Sequence, residues 1–501
     1  MMEDDVTQCQ RLYIPKALAD LSCSKIVYCH RVVEHGVLLG LPKSVHRQLL
    51  MAAVRAINKS DEAKASMQTL IATWPYSTLQ VSEIMPRSLM VDAHMLESII
   101  MKSLLQLRCN CNMEAIDFSG ENFSTIFTLP ILSLPPEQQT ANYLRCLLHE
   151  KCKNITEETE NLEAVLSWKL NAIKEIVKDY PCAYKKQGCL DILLDCQLNL
   201  GEWLGMDVEI LGLVLQEMTP FRVKVKKMSI TNFHVRRVDC FRWFLNTIDS
   251  QTANHLVVYG HRKSMMLMMW KLHKELKQMK NLRKYVMGTS GPHIAGVLSG
   301  KEYPTSEQLL QCTVEVFRSW SNLQELFYVG VVLTNQLGAI LSALEKPLCK
   351  LQIYACKVSL EDMEYLSTCH HVSNLVELGL EYNNLDGKGH VLTTLVENCK
   401  KIDMLNLKET NLKVHEKVDI LCSLQGSNTL ATLAMYENED MVSSHAYQTM
   451  VEMACQIPYL TTFYIFPFNC KPFDVFFRAD VEDACKEILV RQNRQDLKLF
   501  Y

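Results

Sequence analysis

Five segments in the second half of the chain share one apolar grid, and that grid restricts the fold to one architecture. They are Leu323-x-x-Leu326-x-Tyr328, Leu348-x-x-Leu351-x-Ile353-x-x-Cys356-x-Val358, Leu375-x-x-Leu378-x-Leu380-x-x-Asn383-x-Leu385, Ile402-x-x-Leu405-x-Leu407-x-x-Thr410-x-Leu412 and Leu430-x-x-Leu433-x-Met435-x-x-Asn438. The second apolar anchors Leu351, Leu378, Leu405 and Leu433 are spaced 27, 27 and 28 residues apart. Grid and period together are the leucine-rich-repeat pattern.

Each repeat has a direct physical reading. Residues two apart on a strand share a face, so Leu378 and Leu380 point together into a core. Asn383, or Cys356 one repeat earlier, stands where the strand ends and offers polar atoms to backbone groups that the turn leaves unpaired. Val391, Leu392, Leu395 and Val396 follow with helical spacing. The fold class is therefore α/β, a leucine-rich-repeat solenoid with a parallel sheet on the concave face and helices on the convex face.

The grid extends to Leu460-x-x-Phe463-x-Ile465, closed by Pro467. Toward the N-terminus it loosens through Leu282-x-x-Tyr285-x-Met287, Leu256 to Val258 and Val223 to Ile230, with Ala115 to Phe118 as an isolated first strand. These readings divide the chain into an N-terminal helical module over 1–105, a horseshoe over 106–470 with a long insertion near 121–188, and a C-terminal cap over 471–501. The cap combines a helix from Val481 to Val490 with a short strand at Leu497 to Phe500.

Composition excludes several function classes. Lys+Arg number 52 against 56 Asp+Glu, which argues for protein partners over nucleic acid. The acidic start Met1 to Asp5 is followed by no apolar run, so no secretory leader is expected, and the run Met265 to Trp270 is too short to span a membrane. The 20 cysteines include no CxxC pair, and single thiols such as Cys146, Cys196, Cys356, Cys399 and Cys455 read as small core residues in a reducing compartment. Cytoplasm is the expected location, with the nucleus as a further one.

No cofactor or metal is expected. The nearest metal-ligand clusters, Cys369-His370-His371 and Cys29-His30, lack paired spacing. Gly296 to Lys301 is one residue short of a phosphate loop, with Glu302 where a hydroxyl should hold magnesium. No catalytic motif emerges, and an enzyme is not expected.

Two surface features remain. The variable strand positions Gln352, Tyr354, Glu377, Glu381, Asn406, Lys408 and Tyr436 form a polar and aromatic strip on the concave face, which reads as a protein-binding surface or as plain solvated strand. Lys271, Lys274, Lys277, Lys280 and Arg283 recur every third residue and read either as a docking stripe or as the solvated side of a helix whose other side, Met268, Leu272, Leu276 and Met279, is core.

The N-terminal run Leu41-Pro42 to Leu49-Leu50-Met51-Ala52-Ala53 with Trp74-Pro75-Tyr76, the stretch Leu190 to Asp195, the block Leu323 to Leu366 and the closing Phe466-Pro467-Phe468-Asn469-Cys470 resemble the family of PRAME (preferentially expressed antigen in melanoma) and leucine-rich-repeat-containing protein 14. The resemblance covers most of the chain. It implies a non-catalytic substrate receptor of a cullin–RING ubiquitin ligase, binding elongin B/C and a cullin of the second type through N-terminal helices. Leu41, Pro42 and Val45 match the cullin-contacting box, with Leu49 as the next apolar contact. Leu18 would anchor the elongin box, where Ser22 replaces the family's Cys. The other role the resemblance implies is a regulator that masks a signalling or transcription partner without recruiting a ligase.

Overall fold

The computed structural model describes residues 43–56, 61–72, 74, 78–80, 115–117, 190–199, 221–233, 238–247, 250–289, 304–436, 443–466 and 475–500. The chain forms two compact units. The first comprises residues 1–196, 206–227 and 243–249; the second comprises 197–205, 228–242 and 250–501.

In the first unit, α1 (Lys43–Ala56) packs against α2 (Asp61–Ala72). Leu49, Leu50, Ala53 and Val54 recur at i, i+1, i+4 and i+5, so one face of α1 is apolar, and it is buried together with Met67, Leu70 and Ile71 of α2. The Trp74 indole N–H donates to the Thr78 carbonyl at 3.2 Å, leading the chain into β1 (Thr78–Gln80). This strand lies in the stretch read as helices. Only Leu79 of its three residues is buried, too short a run for alternation to register. β1 pairs in parallel with β2 (Ala115–Asp117), and β2 with β3 (Leu190–Asn199), so the strand expected at Ala115 is present but not isolated. β4 (Phe221–Phe233) and α3 (Val238–Thr247) cross the division between the units. Within the first unit, Lys224 and Lys226 of β4 reach Asp191 and Asp117, each at 2.6 Å.

The second unit is the repeat array. Its strands are β5 (His255–Gly260), β6 (Lys284–Thr289), β7 (Glu325–Val329), β8 (Lys350–Tyr354), β9 (Glu377–Gly379), β10 (Met404–Asn406), β11 (Thr432–Ala434), β12 (Thr462–Tyr464) and β13 (Lys498–Phe500). Each pairs in parallel with the next. Between them run α4 (Arg262–Lys271), α5 (His273–Leu276), α6 (Ser306–Ser319), α7 (Leu337–Ser342), α8 (Leu360–Thr368), α9 (Gly389–Asn398), α10 (Val414–Leu424), α11 (Ser444–Ala454) and α12 (Val475–Arg491). From α6 to α12 each helix packs on the next. The grid leucines are in register: Leu326, Leu351, Leu378, Leu405, Leu433 and Phe463 stack as one fully buried row.

Two polar devices tie successive repeats together. Buried Asn383 accepts from the Cys356 N–H at 3.0 Å and donates to the carbonyls of Ile353 at 2.6 Å, Leu380 at 2.9 Å and Glu381 at 3.2 Å. Thr410 repeats the local part of this role, donating to the Leu407 carbonyl at 2.8 Å. On the helical side, buried Asp362 closes the capping box of α8 with Ser359 and also accepts from Asn335 N–H at 2.8 Å and Leu337 N–H at 3.0 Å, at the start of the preceding helix α7. Glu416 repeats only the acceptor half of this at α10, accepting from Lys413 N–H and from Gly389 N–H at the start of α9, both at 2.9 Å. A Cβ at Gly389 would lie 2.7 Å from the Glu416 Cβ, so this contact requires glycine there.

The C-terminal helix is longer than expected, Val475–Arg491, and the short strand closes the sheet as β13. Arg494 donates to the carbonyls of Cys455 at 2.7 Å, Ile457 at 2.9 Å and Leu460, satisfying acceptors left at the end of α11. The three-residue basic period does not lie on one helix. It passes from Lys271 at the end of α4, through the four-residue α5 and a turn, to Arg283 beside β6. Lys271, Lys274, Lys280 and Arg283 are exposed, while Met268, Leu272, Leu276 and Met279 are fully buried. The core side follows the apolar period; on the other side Lys277 pairs with Glu315 at 3.3 Å, Lys271 lies over the Trp270 ring at 4.5 Å, and Lys274, Lys280 and Arg283 are solvated.

Among the described residues the cysteines are free thiols, and Cys356, Cys369, Cys399, Cys455 and Cys485 are buried. Burial pushes the Cys356, Cys399 and Cys485 thiols up to about 12, which leaves them protonated and unreactive at neutral pH. The side chains of Cys146 and Cys196 lie outside the described residues. No described helix is long and apolar enough to cross a membrane.

Candidate protein-binding face

On β5 to β13 the first and third positions of each strand, and the fifth in the longer strands β5 to β8, turn away from the leucine row. The first positions carry a cross-strand charge row, with Lys284 to Glu325 at 3.1 Å and Lys350 to Glu377 at 3.0 Å. Both pairs are partly exposed, so each is worth less than about 1 kcal/mol and serves mainly to set polarity. Gln352 in the next column also donates to Glu377.

The third column, read by register, is Val257, Val286, Phe327, Gln352, Gly379, Asn406, Ala434, Tyr464 and Phe500. Gly379 is where the column drops to backbone height. The Glu381 carboxylate folds back over it: a Cβ at 379 would lie 2.6 Å from Glu381 Oε2. Asn406 donates its amide to Glu381 from the neighbouring strand. Burial raises the Glu381 carboxyl above its ordinary range, against the lowering effects of its own backbone N–H, Lys408 and Asn406.

Around this carboxylate stand aromatic rings. Tyr354, 38% exposed, and Tyr382, 47% exposed, have ring centroids 4.8 Å apart at 47°. Lys408 is turned onto the rings of Tyr436 at 5.3 Å and Tyr464 at 4.7 Å, and Tyr464 stacks on Phe500 at 5.3 Å.

Of the seven positions expected on this face, Gln352, Tyr354, Glu377, Glu381 and Lys408 are accessible. Asn406 and Tyr436 are only 7% and 8% exposed, so they form the floor and wall of the site. Asn406 is covered because Glu381 lies across it. Phe327, Tyr464 and Phe500 were not identified from sequence, although they occupy the same register column as Gln352. Tyr382 could not be reached by strand alternation, because it follows Glu381 at a position that an extended chain would turn inward. Its backbone is left-handed, φ 57°, as is that of Ala355 and Glu409 at the equivalent positions one repeat away. For a bulky residue this costs about 1–2 kcal/mol.

The N-terminal positions are less fully placed. Leu18, Leu41 and Pro42 lie outside the described residues. Val45 is half-buried, and Leu49 is 1% exposed, so Leu49 serves the α1–α2 core and is not free to contact a partner.

The Cys369-His370-His371 cluster is structural. His371 is fully buried; its Nδ1 accepts from Leu348 N–H at 3.2 Å and its Nε2–H donates to the Leu341 carbonyl at 2.9 Å. The Cys369 thiol donates to the Leu366 carbonyl at 3.4 Å. Among the described residues no three His, Cys, Asp or Glu side chains converge as metal ligands do. Cys29-His30 lies outside the described residues.

Burial lowers His371 from 6.5 to about 4, with the neighbouring His370 adding to the effect and the Leu341 carbonyl opposing it. A lowered histidine stabilises the fold fully above 6.5, and that contribution is lost as pH falls toward 4, where the unfolded chain binds the extra proton. The loss should reach about 3 kcal/mol. Urea midpoints of the wild type and of His371→Gln, measured from pH 7.5 to 4.5, should converge as pH falls. Parallel curves would remove His371 as the cause.

Residues 199–472, more than half of the chain, match the PRAME C-terminal domain. Leucine-rich repeat-containing protein 14 of Xenopus laevis is 25% identical over 215 residues, which cover 39% of this chain and 41% of that relative. The matched stretch thus spans about two fifths of the curated relative's length.

Proposed function

Because the chain belongs to the PRAME family, as the match over 199–472 shows, we propose that it is a non-catalytic receptor that holds a protein partner on the open face of its repeat sheet and delivers it to a cullin–RING ubiquitin ligase. The observation that carries the binding half is the group of accessible rings around Glu381. Tyrosines that present a large rigid surface beside a few fixed polar groups are the usual anchors of protein interfaces. Repeat arrays use this kind of surface for binding. The ligase half is supported by the resemblance of Leu41, Pro42 and Val45 to a cullin-contacting box, with elongin B/C docking near Leu18. A held target would be modified through its raised effective concentration near a conjugating enzyme.

Affinity purification of the tagged full chain, with mass spectrometry of what it retains, tests both halves. The expected result is recovery of elongin, a cullin of the second type and at least one further protein. Leu41→Ala/Pro42→Ala should remove the cullin and leave the further protein. Recovery of partners with no elongin or cullin would end the ligase reading and favour a regulator that works by masking its partner.

A further inference from the structure

We propose that the cluster on β8 to β10 is an arginine-recognition site, in which Glu381 receives the guanidinium of an arginine of the protein partner and the paired rings of Tyr354 and Tyr382 offer it a stacking surface. This rests on the open face being the protein-binding surface.

Charge comes first. Glu381 is a carboxylate over Gly379, removed from much of its water, and the groups around it do not restore what burial takes away. Its protein donors are the Asn406 amide and its own backbone N–H, so acceptor capacity is left over. Lys350 pairs with Glu377 at 3.0 Å, and Lys408, which lies on the rings of Tyr436 and Tyr464, acts on the Glu381 carboxylate without restoring what burial takes away. A cation arriving from outside would complete the site.

The second observation is shape. Tyr354 and Tyr382 touch, with ring centroids 4.8 Å apart at 47°, and together form one exposed aromatic ledge on which a flat group can stack. A guanidinium is planar and weakly hydrated, stacks on aromatic faces, and forks onto a carboxylate. An ammonium is compact and strongly hydrated and gains less from such a ledge.

The third is backbone conformation. Tyr382 keeps a left-handed backbone that favours glycine, yet its ring makes its close aromatic contact with Tyr354 at the surface instead of filling the core. The left-handed turn itself belongs to the repeat, since Ala355 and Glu409 share it; what is particular to this repeat is that the turn residue is aromatic and its ring is exposed next to Glu381.

The test uses a phage-displayed random dodecapeptide library selected on the full chain, with affinities of the selected peptides then measured on variants. Arginine should be enriched at one position, and replacing it by citrulline, its uncharged isostere, should weaken binding roughly tenfold or more. Glu381→Gln should cause a similar loss. Tyr382→Gly should also weaken binding while unfolding at no lower urea concentration than the wild type, which separates a lost contact from a lost fold. Peptides that bind without arginine, or lysine in its place at equal affinity, or full affinity on Glu381→Gln, would overturn the proposal. Tyr464→Ala on the same face tells the two failures apart. If it weakens binding while Glu381→Gln does not, the face binds protein but not through an arginine. If neither variant matters, the reading of the open face falls as well.

Discussion

Asp362→Ala is expected to destabilise the second unit by about 4 kcal/mol, the largest single-residue effect anticipated here, because one buried carboxylate holds four donors at once. The carboxylate accepts from four groups: Asn335 N–H, Leu337 N–H, Ser359 N–H and the Ser359 hydroxyl, at 2.8, 3.0, 2.9 and 2.9 Å. The first two belong to the start of the preceding repeat's helix, so the substitution uncaps α7 and α8 together. Helix starts carry free N–H groups and a partial positive charge, and a buried carboxylate answers both. Asp362→Asn should recover only part of the loss, since its NH2 group must face one of these donors. Urea unfolding monitored by circular dichroism checks the magnitude, and amide exchange checks the location. Faster exchange at Asn335, Leu337 and Ser359, with the strands of β11 and β12 unchanged, is the expected pattern. A uniform rise across the unit, or a loss below 1 kcal/mol, would contradict the double-cap account.

Asn383→Ala is expected to cost about 3 kcal/mol for a related reason. One amide side chain satisfies the Cys356 N–H and three carbonyls, those of Ile353, Leu380 and Glu381, in a place no water reaches. Alanine removes all four bonds and packing volume as well; the Glu381 carbonyl keeps a further donor, the Ala355 N–H at 2.9 Å. Asn383→Asp offers a second reading. It keeps the acceptor for Cys356 N–H but turns the donor of three bonds into an acceptor facing carbonyl oxygens, so it should be at least as damaging as alanine. Thermal unfolding of the three proteins gives the ranking; Asp milder than Ala would show that the donor side of Asn383 matters less than the geometry implies. Because Glu381 is one of the bonded residues, Asn383 also fixes the turn that carries Glu381 and Tyr382 onto the open face.

The periodic elements were legible from the residues because a strand and a helix impose periods of 2 and 3.6 on apolar positions. Leu378 with Leu380, and Val391 with Leu392, Leu395 and Val396, therefore announced their strand and helix, and the structure buries all six. The same logic reached the strands around Leu256 and Tyr285, where the grid is incomplete. It failed at β1, whose three residues are too few to show a period. It also failed for the basic run from Lys271, where regular spacing continued across the end of a helix.

The binding face divides along the same line. Which columns turn outward follows from alternation, so Gln352, Tyr354, Glu377, Glu381 and Lys408 could be picked without coordinates. Which outward residues stay accessible depends on what lies across them. Glu381 folds over Gly379 and onto Asn406, and Lys408 lies on Tyr436, so two positions equivalent in pattern became floor and wall. Tyr382 joined the site only because a left-handed residue follows each of these strands.

By itself, then, the order of residues determined a parallel repeat with leucines inward and a polar strip outward, since those properties arise from local geometry repeated every 27 or 28 positions. The tertiary structure alone decided which neighbouring repeats share a carboxylate cap, why His371 is a buried brace and not a metal ligand, and how Glu381 comes to lie over Gly379 beside exposed tyrosines. Those outcomes depend on contacts between residues one repeat apart, and on how deeply each is removed from water, neither of which is a property of spacing along the chain.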